Sequence, residues 1–176
     1  MPHLGKSKAS DEYYTPPEAA ALIERYLPKG KTIYEAAYGM GHLANYLREC
    51  GYTVVGDPEW DYLTTDFSDY DIAVTNPPYS LKNEFLQRAY QLGKPFAFLM
   101  PADTAVGLQR FPLFERYGVE LLIPSRRVNY IIDGSKRGSS NFNSFWFCWG
   151  VLPRPIVFRE MERRHFPGKA CLKHAY

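Results

Sequence analysis

The sequence predicts an α/β protein, a mostly parallel sheet flanked by helices within a single domain. Three observations predict it. Strand-like apolar runs alternate with helical stripes along the 176 residues, the pace expected of strand–helix–strand units. A turn carrying Gly39 and Gly41 joins the first strand to the next helix, and glycines let a backbone approach a ligand closely. Finally, the apolar run at 71–75 ends in Asn76-Pro77-Pro78-Tyr79, a stiff turn because proline fixes φ and restricts the residue before it.

The elements follow in order. Residues 1–12 are polar and read as a flexible leader. Over 17–27, Ala20, Leu22, Ile23, Tyr26 and Leu27 recur at helical spacing. Pro16 and Pro17 suit a first helical turn, Glu18 suits its dipole, and Thr15 is placed to cap it. Strands are expected at 32–36 and 53–57, separated by a helix over 43–50 that Gly51 stops. Further strands fall at 71–75, 95–100, 119–124 and 143–151, and a helix at 83–91 stops at Gly93. The late strand's Phe145, Trp146, Phe147 and Trp149 are expected mostly in the core. Residues 125–142, rich in Gly and Ser, read as a long loop, and loops of that length in compact domains are usually functional.

Composition sets the outer bounds. A chain of this length buries roughly 70% of its unfolded surface, and 14 Tyr, 11 Phe and 3 Trp supply a core. No apolar stretch reaches the ~20 residues of a membrane span, and the leader lacks a signal peptide's apolar centre. Cys50, Cys148 and Cys171 are widely separated, which argues against a zinc site or a disulfide framework. The chain is therefore expected in a reducing cytoplasm. Net charge is only +2, but residues 154–176 hold six Lys/Arg against two acids and read as a basic tail. Arg126, Arg127, Lys136 and Arg137 form a second cluster. Both suit a polyanion, with a solvated surface as the alternative.

Three acids sit where a nucleotide-like ligand would need them. Glu35 opens the glycine turn, where an acid can bind an ammonium. Asp57 ends the second strand about 20 residues later, where an acid can take a ribose diol. Asp66-Phe67 offers an acceptor for an adenine amino group and a ring to stack on it. In the tetrapeptide, the Asn76 side-chain oxygen and the Pro77 carbonyl can both accept from one planar NH₂ group, beside the ring of Tyr79. The turn lacks the third glycine of a dinucleotide fingerprint and the Lys-Ser/Thr of a phosphate loop.

From about residue 13 to 150 the chain resembles adenine-specific DNA methyltransferases that use S-adenosylmethionine. Tyr14-Thr15-Pro16 matches a segment lying along the cofactor's methionine part. Glu35, Ala37, Gly39 and Gly41 match the family's glycine-rich turn. Asp57 matches its ribose acid, Asp66 and Phe67 its adenine contacts, and Asn76 to Tyr79 its catalytic tetrapeptide, with Asn76 also against the cofactor. Ala36 and Tyr38 depart from the residues common in that turn. The resemblance implies a Rossmann-like class I methyltransferase fold with a seven-stranded sheet over 13–153, and S-adenosylmethionine as cofactor. It further implies direct transfer of methyl to a flipped or single-stranded adenine. Such enzymes usually carry a target-recognition domain, and the spacing here leaves no room for one. Low sequence specificity, or specificity supplied by a protein partner, is the expectation, in a bacterial or phage setting. Arg126, Arg127, Lys136 and Arg137 are then candidates for DNA phosphate contact. Asn141, Asn143 and Ser144 border the expected base pocket. The same tetrapeptide chemistry would serve an RNA base amine or a protein glutamine amide. A non-catalytic nucleic-acid-binding subunit is the reading outside enzymes.

Overall fold

A computed structural model describes residues 13–133 and 136–163, without the side chains of residues 133, 136, 137 and 139. Its elements run α1 (Pro17–Glu24), β1 (Thr32–Tyr34), α2 (His42–Glu49), β2 (Thr53–Val55), β3 (Ile72–Thr75), α3 (Lys82–Leu92), β4 (Phe96–Pro101), α4 (Phe111–Tyr117), β5 (Glu120–Pro124), β6 (Asn129–Asp133), β7 (Lys136–Ser139), β8 (Ser144–Trp149) and β9 (Ile156–Arg159). Seven strands form one sheet in the order β2-β1-β3-β4-β8-β5-β9, and β6 and β7 pair in a separate hairpin. Within the large sheet β8 runs antiparallel to β4 and β5, and the other pairings are parallel. The mostly parallel, seven-stranded expectation holds.

Alternation along the central strands explains why both faces of the sheet are covered. Phe96, Phe98 and Met100 of β4 join Tyr34, Ala73, Phe85, Leu86 and Phe147 on one face. Ala97 and Leu99 join Ile33, Val74 and Trp146 on the other, beneath α1 and α2. A buried strand flanked on both sides by helices reads as continuous apolar sequence, as β3 and β4 do. Trp146 is 1% exposed, and its indole N–H donates to the Ala19 carbonyl at 3.0 Å, pinning α1 to the sheet.

Four local features differ from the sequence reading. Thr15 does not cap α1, since Pro16 is the N-cap residue and makes no side-chain bond. Helix α4 gave no periodic signal because none of its side chains is buried. Residues 125–142 contain the β6–β7 hairpin; the Gly, Ser and charged residues of β7 conceal its strand, while Tyr130-Ile131-Ile132 of β6 carried a strand signal that the loop reading passed over. Residues 154–176 were expected to be a tail, yet Ile156–Arg159 supplies the seventh strand. Pro153 and Pro155 precede it and only Val157 turns inward, so it carries no alternation. No helix among the described residues is long and apolar enough to cross a membrane.

Replacing Trp146 with Phe removes the bond to Ala19 and leaves a partly empty site. The expected loss is about 1–3 kcal/mol, read as a lower midpoint in urea denaturation. An unchanged midpoint would show that the indole does not anchor α1.

Candidate active site at the sheet switch point

The order β2-β1-β3 means that the chain leaves β1 on one side and returns on the other. A crevice opens at the carboxyl ends of strands where the order reverses. A cavity of about 270 Å³ lies there. Its wall comes from Tyr13, Tyr14 and Thr15, from Glu35, Ala37, Tyr38 and Gly39 after β1, and from His42 and Leu43 at the start of α2. Pro58 and Trp60 after β2, and Asn76 and Pro78 after β3, complete it.

Its floor is a buried carboxyl group. Glu35 is 3% exposed. Thr75, at the end of β3, donates its hydroxyl to Glu35 Oε1. The Ala37 N–H points at both, 3.2 Å from Glu35 Oε1 and 3.0 Å from Thr75 Oγ1. Burial dominates these contacts and pushes the Glu35 carboxyl up to about 8, because removal from water penalises the charged form. Such a group is suited to meet a cation, which would restore its charge. Gly56 makes the arrangement possible. It has φ +150°, and a Cβ there would sit 2.6 Å from the Glu35 carbonyl.

Above the floor stands Asn76. Its Nδ2 donates to the Tyr13 carbonyl at 2.6 Å, which fixes the amide's orientation. Its Oδ1 is buried and has no hydrogen-bond partner. A buried acceptor left unpaired costs about 1–3 kcal/mol, so this oxygen is poised for a donor from outside the protein. Tyr79 lies among aromatic rings, with Tyr13 nearly parallel to it (5.8 Å, 20°) and Tyr130 and Phe142 edge-on. Burial raises the Tyr79 phenol well above its usual range. The β6–β7 hairpin is drawn to this place by two backbone bonds, Tyr14 N–H to the Ile131 carbonyl (2.9 Å) and Ile131 N–H to the Tyr14 carbonyl (3.0 Å).

Of the residues singled out in the sequence, Tyr14, Thr15, Glu35, Ala37, Gly39, Asn76 and Pro78 meet on the cavity wall. Pro16 and Pro77 are buried directly beside it, and Gly41 ends the turn as N-cap of α2. Asp57 is exposed, and its Oδ1 accepts from the Glu59 N–H at 2.8 Å, opening the turn that sets Pro58 and Trp60 on the wall. Asp66 is exposed, and Phe67 packs on Tyr34, Trp60 and Tyr70 instead of lining the cavity. Arg126 donates to the Met161 carbonyl, and Arg127 to the Ser140 carbonyl at 3.0 Å, so both brace the chain around the hairpin. Lys136 and Arg137 begin β7, and their side chains lie outside the described residues. Arg159 of the expected tail bonds the Tyr26 hydroxyl at 2.6 Å.

The sequence reading missed Tyr13, Tyr38, His42 and Trp60. Trp60 had a readable signal, as a large aromatic just past the acid that follows β2. His42 stacks on Tyr14 (5.1 Å, 27°). Among the described residues no group of His, Cys, Asp and Glu could hold a metal ion.

Solved structures place this architecture. The chain is similar to a protein from Listeria monocytogenes described as a class I S-adenosylmethionine-dependent methyltransferase, at 15% identity and TM-score 0.53, covering 90% of this chain and 68% of that one. A protein from Pyrococcus horikoshii described as an RNA methyltransferase matches at 14% identity and TM-score 0.51, covering 86% and 93%. A modification subunit described for a type I restriction enzyme from Vibrio vulnificus matches at 13% identity and TM-score 0.50, covering 88% of this chain but only 49% of its own. No family model and no curated protein matches in sequence. The fold is therefore the Rossmann-like fold found in class I methyltransferases.

Glu35 gives a direct test of the site's electrostatics. Its folded pKa lies above the unfolded value of 4.5, so between 4.5 and about 8 the folded chain holds a proton that the unfolded chain has lost. Stability should fall as pH rises through that window, by up to about 1.4 kcal/mol per pH unit. Glu35→Gln should flatten this dependence in thermal melts. A wild-type melt flat from 4.5 to 8 would mean that the carboxyl is already charged.

Proposed function

We propose that this chain transfers the methyl group of S-adenosylmethionine to the exocyclic amine of adenine in DNA. The observation that carries this reading is the buried, unpartnered Oδ1 of Asn76, whose amide is held in place by the Tyr13 carbonyl. An adenine amine donates two N–H bonds, and Asn76 Oδ1 and the Pro77 carbonyl are the two acceptors that would take them. That cradle localises the nitrogen lone pair and aims it, which is orientation and preorganised polarity, not acid–base chemistry.

The cofactor suits the cavity on the chemistry of its donor set. Glu35 is an acid buried without a cationic partner in the bonds described, which an amino-acid ammonium would complete. Tyr14 and Thr15 would lie along the methionine part, and Asp57, beyond β2, would take the ribose hydroxyls. Trp60 is a better candidate than Phe67 for an apolar wall against the adenine ring, because Trp60 faces the cavity. When bound, S-adenosylmethionine supplies an activated methyl group that the amine takes in one displacement, the C–S electron pair returning to sulfur and one amine proton leaving to solvent.

Tyr79 would stack on the target base. Tyr13 now covers its ring, so base entry requires the Tyr13 side chain to yield. Arg127, exposed and only partly engaged, would meet phosphate together with Lys136 and Arg137. Arg126 would act mainly as a brace. Sequence specificity is low or comes from a protein partner.

The test is transfer of labelled methyl to duplex DNA, single-stranded DNA, RNA and protein, with nucleoside analysis. N-6-methyladenine in DNA is the expected product. Asn76→Ala should reduce transfer by roughly a thousandfold while leaving cofactor affinity within about threefold. Full activity in that variant would overturn the mechanism. Label in RNA or protein alone would overturn the substrate.

A further inference from the structure

The segment between β4 and α4 leaves the carboxyl edge of the sheet next to the tetrapeptide, since β3 and β4 are parallel neighbours. It displays Val106 at 76% exposure and Leu108 at 94%. Single exposed aliphatics are ordinary, but the support beneath these two is not. Arg110 donates from Nε to the Thr104 carbonyl (2.7 Å) and from one terminal nitrogen to Asn83 Oδ1 (2.7 Å). Its other terminal nitrogen reaches the carbonyls of Asp103 (3.3 Å) and Val106. Gly107, between the two aliphatics, has φ +149°, and a Cβ there would lie 2.5 Å from an Arg110 terminal nitrogen. Asn83 also donates to Gln109. It sits in the first turn of α3, just after the tetrapeptide, so the loop is braced against the element that follows the catalytic turn.

We propose that Val106 and Leu108 form a wedge that enters a DNA duplex and fills the gap left when the target base turns out toward Asn76. The inference rests on the DNA amine methyltransferase reading. An amine inside a base stack cannot reach Asn76, so the base must leave it, and the neighbours it abandons lose a stacking partner. Apolar side chains inserted between base steps hold a duplex open in that way, and a wedge has to be stiff, which the Arg110 brace provides. A protein partner would also cover aliphatic side chains, but a stable protein interface needs about 800 Å² per side. Two residues at a narrow loop tip fit the width of a base step better.

The experiment compares labelled methyl transfer to duplex DNA and to the same mixed-sequence DNA after heat denaturation. It uses wild type, the Val106→Ser/Leu108→Ser double variant, and Leu108→Phe. Both wedge side chains face solvent, so melting temperatures should match. The double variant should lose about tenfold or more on duplex and stay within about twofold on single strands, while Leu108→Phe keeps duplex transfer. Equal loss on both substrates, or no loss on either, overturns the wedge, the latter pointing to a protein partner. A wild type active on denatured DNA but not on duplex also overturns it and leaves the methyltransferase reading standing. A wild type active on neither overturns both.

Discussion

The contact on which the site depends is the one between Glu35 and Thr75, with the Ala37 N–H shared between them. It ties the ends of β1 and β3 together where the sheet order reverses. On one side of that contact begins the glycine turn that shapes the cavity. On the other begins the turn that carries Asn76. A change in either strand's register would separate the carboxyl group from the hydroxyl, and with them the two halves of the site. Neither group is replaceable by an apolar one of similar size. Removing the hydroxyl would leave a buried carboxyl with less compensation, and an unpaired buried polar group costs more than a bond contributes.

The site also holds polar groups that folding alone does not reward. Burial pushes the Glu35 carboxyl up to about 8. Asn76 Oδ1 and His42 Nδ1 are buried without partners. The hydroxyls of Tyr34, Tyr62 and Thr104 are also buried without partners, whereas other buried polar groups are answered. The Tyr52 hydroxyl, for example, meets the Leu27 carbonyl at 2.9 Å, and Tyr130 meets Ser144 at 2.7 Å. On the cavity wall, the unanswered Asn76 Oδ1 and His42 Nδ1 stand with the buried Glu35 carboxyl, a set that suits a ligand bringing a cation and hydrogen-bond donors.

Much of this was legible in the sequence because the decisive elements are strongly patterned. β3 and β4 are nearly continuous apolar runs, and the turns after β1 and β3 carry residue types that ordinary turns rarely combine. What escaped notice was carried by tertiary pairing. β9 has one buried side chain, α4 has none, and β7 is built from small and charged residues, so that Tyr130-Ile131-Ile132 of β6 stood without a visible partner strand. Tyr13 escaped for a different reason: its contribution to Asn76 comes from its backbone carbonyl, which every residue possesses. Asp66 and Phe67 show the limit of matching by order along the chain. They stand in the expected succession, yet Phe67 belongs to the aromatic cluster around Tyr34, and it is Trp60 that reaches the cavity.

On the proposed reading, holding the reactive group and reaching the substrate fall to different parts of the chain. Asn76 and Glu35 are fixed by short polar contacts within the sheet's carboxyl edge and have little freedom to adapt. Reach is left to backbone that departs from that edge on either side of the tetrapeptide, the β6–β7 hairpin and the loop before α4. The hairpin is attached through Tyr14, the neighbour of the residue that orients Asn76. A load on the hairpin would therefore be felt at the amide, through one peptide unit. The loop before α4 is attached through Asn83 instead, one helical turn beyond Tyr79. A substrate gripped by both excursions would bear on the tetrapeptide from its two ends, which makes the tetrapeptide's stiffness, set by Pro77 and Pro78, a mechanical requirement as well as a chemical one.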